Sequence, residues 1–408
     1  MYKYLISLII FLLSAQASAA GKDLLEPEQA FRFSARVLDA SNVEVRYQIA
    51  DGYYLYRERF AFAAEPGAEV VVTEASDTVT LDAANKALDK GDDAGAVVAL
   101  LAAWRKKRQP RIADVIDRVG QITGQAPSLV RGDIRDPQAL QSLFTAHRFE
   151  GIVHLAGLKA VGESVQNPLL YDDNNVHGSM RLLRAALDHG VHRMVFSSSA
   201  TVYGDPLYLP YDEAHPAHTQ TNPYGRTKRA VELMLHDAQR AEPRLHIAVL
   251  RYFNPIGAHE SGLIGENPQG VPNNLMPYVT RVAAGKLPHL SIYGNDYPTP
   301  DGTGRRDYIH VMDLAEAHLK AMQYLAQAHA GYGIWNLGTG QSHSVLDIVH
   351  TFERVTGQRV PYQIAPRRSG DLPEYYASSH KANTELQWQA RRSLEDMVRD
   401  AWRWEIAS

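Results

Sequence analysis

A chain of 408 residues with 45% apolar and 22% charged residues has the profile of a soluble globular protein, long enough for two or three domains. Its formal net charge of −4 provides no global field that would draw it to nucleic acid. The chain has no cysteine, which excludes disulfides, thiolate catalysis and cysteine-ligated metals, and no metal site is expected.

Lys3 precedes an apolar run over residues 4–15, and Ala17-Ser18-Ala19 follows before Ala20. A basic start, an apolar stretch too short to span a bilayer comfortably and a small-x-small cleavage site predict an export signal over residues 1–19. After it, no apolar stretch is long enough to cross a membrane. Residues 20–66 read as a β-hairpin fragment. Val43, Val45, Tyr47 and Ile49 alternate with polar residues, and Asp51-Gly52 predicts a hairpin turn before the aromatic run at 53–60. Residues 67–111 change character toward helix and linker, with Asp92-Asp93 as an N-cap. Arg105-Lys106-Lys107-Arg108 closes an apolar helical segment and reads as a solvated helix end.

From residue 112 a regular alternation sets in. Helices are expected at 113–119, 138–144, 178–189 and 223–240. Strands are expected at 128–130, around 151–157, at 193–197 and at 246–252. Strands alternating with helices predict an α/β fold with a parallel, Rossmann-like sheet and ligands at the strand C-terminal ends. Polar loops follow several of those ends: Gly132-Asp133, Ala156-Gly157-Leu158-Lys159, Ser197-Ser198-Ser199 and Phe253-Asn254-Pro255.

Among these loops one pair carries chemistry. Tyr224 and Lys228 stand four residues apart on an expected helix, so their side chains emerge as neighbours. An ammonium beside a tyrosine stabilises the phenolate and moves a poor base toward neutral pH. Ser199 could complete a relay to a substrate hydroxyl.

The residues around this pair resemble UDP-glucose 4-epimerase, an extended short-chain dehydrogenase/reductase, over about residues 112–405. The matching strings include residues 154–165, 197–204 and 223–228, together with Leu250-Arg251-Tyr252-Phe253-Asn254-Pro255. Others are residues 272–278, 294–299, 301–311 and 366–373. The resemblance implies an NAD-binding domain over 112–253, a smaller nucleotide-sugar domain over 254–408, and interconversion of UDP-galactose and UDP-glucose. It implies Tyr224 as the base for the sugar 4-hydroxyl, Lys228 as its partner and Ser199 as a hydrogen-bonding group. NAD contacts are implied at Asp133, Ile134, Leu155, Ala156, Gly157, Leu158, Lys159, Asn174, Ser199, Tyr224, Lys228 and Phe253. UDP-sugar contacts are implied at Asn254, Asn274, Leu275, Tyr293, Arg306, Arg368, Asp371 and Tyr375. A bulky Tyr375 implies plain hexoses over N-acetylated ones. A homodimer through the helices at 178–189 and 223–240 is also implied.

Such an enzyme begins with a strand, a glycine-rich turn and a helix that holds the cofactor pyrophosphate. That unit is expected near residues 76–111, and no Gly-x-x-Gly-x-x-Gly stands there. The sheet is therefore expected to lack its first βαβ unit and to expose apolar surface along the strand at 152–155. Activity is expected to suffer accordingly. Asn336-Leu337-Gly338-Thr339-Gly340, before a helix at 344–355, reads as a turn, not a phosphate cradle.

Two other functions compete. A nucleotide-sugar 4,6-dehydratase needs an acid pair directly after Ser199, where Ala200 and Thr201 stand. The leader supports a non-enzymatic exported fusion protein. Residues 1–66, with Glu28-Gln29-Ala30-Phe31 and the run 49–57, resemble the start of the thiol:disulfide interchange protein N-terminal domain, which implies the periplasm. The epimerase resemblance implies the cytoplasm.

Overall fold

The computed structural model describes residues 31–37, 43–49, 109–124, 126–268, 272, 274–327, 331–368 and 370–408, and the chain divides into two units, 1–92 and 93–408. In the first unit β1 (Phe31–Val37) pairs antiparallel with β2 (Val43–Ile49). The register sets Phe31, Phe33, Ala35 and Val37 opposite Ile49, Tyr47, Val45 and Val43. The described partner of β2 is therefore the strand before it. The turn expected at Asp51-Gly52 and the leader at 1–19 lie outside the described residues.

The second unit starts with α1 (Gln109–Thr123) and α2 (Pro137–Ala146), the latter capped by the Asp136 carboxylate and begun by Pro137. Then come β3 (Ile152–His154), α3 (Val161–Gln166), α4 (Pro168–Tyr171), a π-helical stretch (Asp172–His177) and α5 (Gly178–Asp188). β4 (Arg193–Ser199), α6 (Pro223–Ala241) and β5 (His246–Tyr252) follow. The C-terminal part contributes β6 (Asn254–Ile256), α7 (Leu275–Ala283), β7 (Leu290–Tyr293), β8 (Arg305–His310), α8 (Val311–Leu325) and β9 (Tyr332–Leu337). It ends with β10 (Ser342–Ser344), α9 (Val345–Thr356), β11 (Tyr362–Ala365), β12 (Glu374–Tyr375), α10 (His380–Leu386) and α11 (Leu394–Ala407).

The central sheet has the order β3-β4-β5-β9 with every pairing parallel. Both faces are covered. Leu140, Leu182, Val231 and Leu235 of α2, α5 and α6 pack on Met194, Phe196, Ile247 and Val249. On the other face Leu314, Ala317, Ala321 and Leu325 of α8 pack with Val195, Ala248, Leu250 and Trp335. A second core, with Met276, Val279, Ile292, Phe352 and Val398, belongs to the C-terminal part. There β8 pairs with β6, β10 and β12, and β7 pairs with β11.

Residues 128–130 join no ladder among the described residues, contrary to the strand expected there. In a doubly wound sheet of order 3-2-1-4-5-6 the third strand touches only the second, and this chain lacks the sequence of that unit. The same gap leaves β3 as an edge among the described residues, with Val153 38% and Leu155 47% exposed, as expected.

Candidate active site

The site gathers at the C-terminal ends of β3, β4 and β5. β4 ends at Ser199, which is level with Tyr252 at the end of β5. The Ser199 hydroxyl accepts from Thr201 N at 3.3 Å and Thr201 Oγ1 at 3.0 Å, which starts a 3₁₀ turn over Ala200–Val202. Helix α6 begins against this turn. Asn222 caps it by accepting from Gly225 N at 2.8 Å, and Pro223 fixes its first residue. A Cβ on Gly225 would stand 2.7 Å from the Thr201 carbonyl oxygen, so glycine is what lets the helix start come this close to the turn. Tyr224 is thereby set beside Ser199.

Tyr224 N–H donates to Ser164 Oγ at 3.2 Å, anchoring it to α3. Desolvation raises the Tyr224 pKa above that of ordinary tyrosine, and the hydrogen bond with Ser199 works in the opposite direction. Lys228 is buried one turn on and donates to the Ser197 carbonyl oxygen at 2.7 Å. Its ammonium lies 4.9 Å from the Phe196 ring centroid and 6.0 Å from that of Tyr224. The ammonium is committed to the backbone of β4, and burial is the largest influence at Tyr224. Burial also lowers the Lys228 pKa to about 8, against the pull of Glu232.

Asn175 stitches the loop after β3 to this helix. Its Oδ1 accepts from Leu158 N at 2.8 Å and from Asn174 Nδ2 at 2.9 Å. Its Nδ2 donates to Leu158 O at 3.0 Å and to Thr227 Oγ1 at 3.1 Å. A Cβ on Gly157 would come 3.3 Å from Asn175 Oδ1 and 3.5 Å from Lys228 Nζ, so glycine keeps free beside the ammonium the space that a Cβ would fill. Asn175 was not among the expected site residues. Two adjacent asparagines inside a helical stretch are its sequence signal, since such side chains compete for backbone groups.

Of the expected cofactor residues, Ala156, Gly157, Leu158, Asn174, Ser199, Tyr224 and Lys228 belong to this neighbourhood. Leu155 is exposed on β3's edge. Asp133 and Ile134 have partners of their own. Arg135 donates to both Asp133 oxygens, Nη2 to Oδ2 at 2.6 Å, and reaches Asp173 at 2.6 Å. Burial would raise the Asp133 pKa, but Arg135 prevails and holds it low. Ile134 is buried beneath Gly178, where a Cβ would meet Ile134 Cδ1 at 2.6 Å.

The expected sugar-nucleotide residues form a continuous chain of contacts. The Phe253 ring lies 6.1 Å from that of Tyr375, whose hydroxyl donates to Asn254 Oδ1 at 3.1 Å. Arg306 stacks over Tyr375 at 4.6 Å and comes within 3.9 Å of Asp371. Asp371 pairs with Arg368 at 2.9 Å, and Arg368 stacks over Tyr293 at 4.7 Å. Two guanidiniums flanked by aromatic faces suit a diphosphate joined to a base. Asn274 stands apart from this chain at the N-cap position of α7, with no side-chain cap bond, and Leu275 after it is partly buried in the second core. Its Nδ2 donates to Glu266 at 2.5 Å, and Glu266 also meets Lys159 at 3.5 Å, tying the loop after β3 to the C-terminal part. The Gly338–Gly340 turn cannot cradle phosphate. Asp307 already takes Thr339 N at 2.8 Å and Gly340 N at 3.0 Å.

A parallel α/β sheet with serine, tyrosine and lysine converging at its strand ends, beside a second part rich in paired arginines, defines a short-chain dehydrogenase/reductase of the nucleotide-sugar class. The family model described as GDP-mannose 4,6 dehydratase matches residues 84–401. The UDP-glucose 4-epimerase of Neisseria meningitidis serogroup C is 53% identical over 291 residues, 71% of this chain and 86% of its own length. A crystal structure of UDP-glucose-4-epimerase from Stenotrophomonas maltophila, with bound NAD and formylated UDP-arabinopyranose, has a TM-score of 0.70 at 51% identity. It covers 72% of this chain and 87% of that one. The enzyme from Bifidobacterium longum, in complex with NAD+ and UDP, has a TM-score of 0.69 at 46% identity, with 72% and 87% covered. The chain belongs to the UDP-glucose 4-epimerase family. Residues 21–91 match the model described as thiol:disulfide interchange protein DsbD, N-terminal, which carries that resemblance beyond residue 66.

Proposed function

We propose that the chain is an NAD-dependent UDP-glucose 4-epimerase with Tyr224 as the base. The observation that carries this reading is the convergence of Ser199, Tyr224 and Lys228 at the end of β4 and the start of α6, with Ser199 level with Tyr252, two residues before Asn254. The space at Gly157 beside Lys228, bordered by Leu158 and Asn174 through Asn175, would take the nicotinamide end of the cofactor. The glycine-rich turn for the pyrophosphate is not in the sequence, so that end is held by fewer groups. Bound there, NAD would supply the acceptor and donor of the C4 hydride.

The protein's own residues handle the proton. Tyr224 Oη receives it from the 4-hydroxyl as C4 is oxidised and returns it as C4 is reduced. Ser199 aligns the two oxygens, and Lys228 fixes the loop geometry and supplies positive charge. Arg306 and Arg368 hold the diphosphate, with Asn254, Asn274, Leu275, Tyr293 and Asp371 completing the nucleotide side. Tyr375 narrows the sugar site toward plain hexoses.

The chain divides, in this reading, into a leader at 1–19, a β fragment at 20–66, a connecting segment at 67–111, a truncated NAD domain at 112–253 and a sugar-nucleotide domain at 254–408. Two copies pair through α5 and α6. Cleavage after Ala19 would accompany export, and an intact N-terminus would accompany retention with cytosolic substrates; fractionation with N-terminal sequencing separates the two. The dehydratase alternative is disfavoured because Ala200 and Thr201 sit in the 3₁₀ turn with no acid beside Ser199. Conversion of UDP-galactose to UDP-glucose by the purified chain, and its loss in Tyr224→Phe, tests the proposal.

A further inference from the structure

Directly beneath the site lies a carboxylate that the reaction, as described above, does not use. Glu232 is completely buried, one helical turn beyond Lys228 on α6. Its Oε1 accepts from Ser198 Oγ at 2.6 Å and Arg251 Nε at 2.9 Å. Its Oε2 accepts from Arg251 Nη2 at 2.7 Å and Arg229 Nη1 at 3.0 Å. Ser198 is the residue before Ser199, and Arg251 the residue before Tyr252. A single carboxylate therefore ties β4, β5 and α6 together one residue, or one turn, away from the groups that face substrate. Arg251 is itself buried, stacks 4.7 Å over the Tyr203 ring and leaves Nη1 without a partner. So much buried charge exceeds what packing alone would need, since an apolar pair is often as stable.

We propose that Glu232 is a positioning residue: it fixes the register of Ser199 against Tyr224 and keeps Lys228 in its ammonium form. Other groups cannot replace it. Lys228 faces Tyr224 on its own helix and His154 from β3, and His154 is buried and neutral, with Nε2 2.7 Å from Ser179 Oγ. Around Glu232 stand Arg251 from β5, Arg229 on α6 and Tyr332 from β9, whose hydroxyl donates to the Glu232 carbonyl oxygen at 3.2 Å. Among these groups only Glu232 is negative, and its attraction raises the Lys228 pKa against burial. The inference rests on the epimerase reading only in that Lys228 is taken to serve Tyr224.

The test is the titration of Lys228 Nζ by nitrogen NMR on the full chain, with the signal assigned through Lys228→Arg. The wild-type midpoint is expected at about 8. In Glu232→Gln it should fall by about one pH unit, and in Glu232→Asp it should stay close to wild type. Where Glu232→Gln does not fold, the Glu232→Gln/Arg251→Gln pair keeps hydrogen bonds without stranding a buried charge and should show a smaller fall in the same direction, because the opposing guanidinium leaves with the carboxylate. An unmoved midpoint in the folded variant overturns the proposal. Turnover separates the two readings. If the wild-type chain converts UDP-galactose, the alkaline limb of kcat moves down with the midpoint in Glu232→Gln and not in Glu232→Asp; a limb that stays put overturns the positioning role. A moved midpoint in a chain without turnover supports the role of Glu232 and removes the epimerase reading.

Discussion

Lys228 donates to the Ser197 carbonyl at 2.7 Å and keeps 6.0 Å from the centre of the Tyr224 ring. The two residues share a helix face, yet the ammonium points into the strand and secures the β4 end that carries Ser199. Lys228→Met should therefore lower kcat by at least about tenfold and loosen the loop after β4 as well, because burying an unpaired carbonyl costs about 1–3 kcal/mol. Lys228→Arg keeps the charge but not the fit. Its kcat should be intermediate, read by steady-state UDP-galactose conversion.

Tyr224→Phe removes the proton acceptor while leaving Ser199 and the helix start intact. A loss of about 10²–10⁴ in kcat with nearly unchanged UDP binding is the expected result. Calorimetric titration with UDP separates this from misfolding.

Gly225→Ala places a methyl 2.7 Å from the Thr201 carbonyl oxygen. Neither backbone can give way without moving Ser199 or Tyr224. Stability should fall by about 1–3 kcal/mol, measured by urea unfolding, and kcat should drop with it.

His154 contributes a pH dependence of stability. Its folded pKa is lowered to about 3, first by burial and then by Lys228, from 6.5. The unfolded state therefore binds more protons than the folded one between those values. The stability is fully present above pH 6.5 and is lost as pH falls toward 3. Urea midpoints should decline over this window, and His154→Gln should flatten the decline.

Much of this was legible in the sequence, for reasons that differ by element. β5 falls at His246–Tyr252 as its apolar run predicts, because a buried parallel strand is specified by composition. Tyr224 and Lys228 share a face because helix periodicity is local. The direction of the Lys228 ammonium was not legible, since it depends on where the β4 carbonyls lie. Nor was the capture of Asp133 by Arg135, two residues on, which spacing leaves open. Residues 128–130 have strand character but join no ladder among the described residues, so local preference alone gives no strand there. The Glu232–Arg251 pair is separated by 19 positions and meets only when α6 is laid on the sheet.

The central claim is tested most directly by one assay: UDP-galactose conversion by the full chain with and without added NAD, beside Tyr224→Phe. Without the glycine-rich turn, the chain should purify with little NAD and gain activity as NAD is added, and Tyr224→Phe should stay inactive at every NAD concentration. No conversion at saturating NAD, or equal conversion by Tyr224→Phe, would contradict the account.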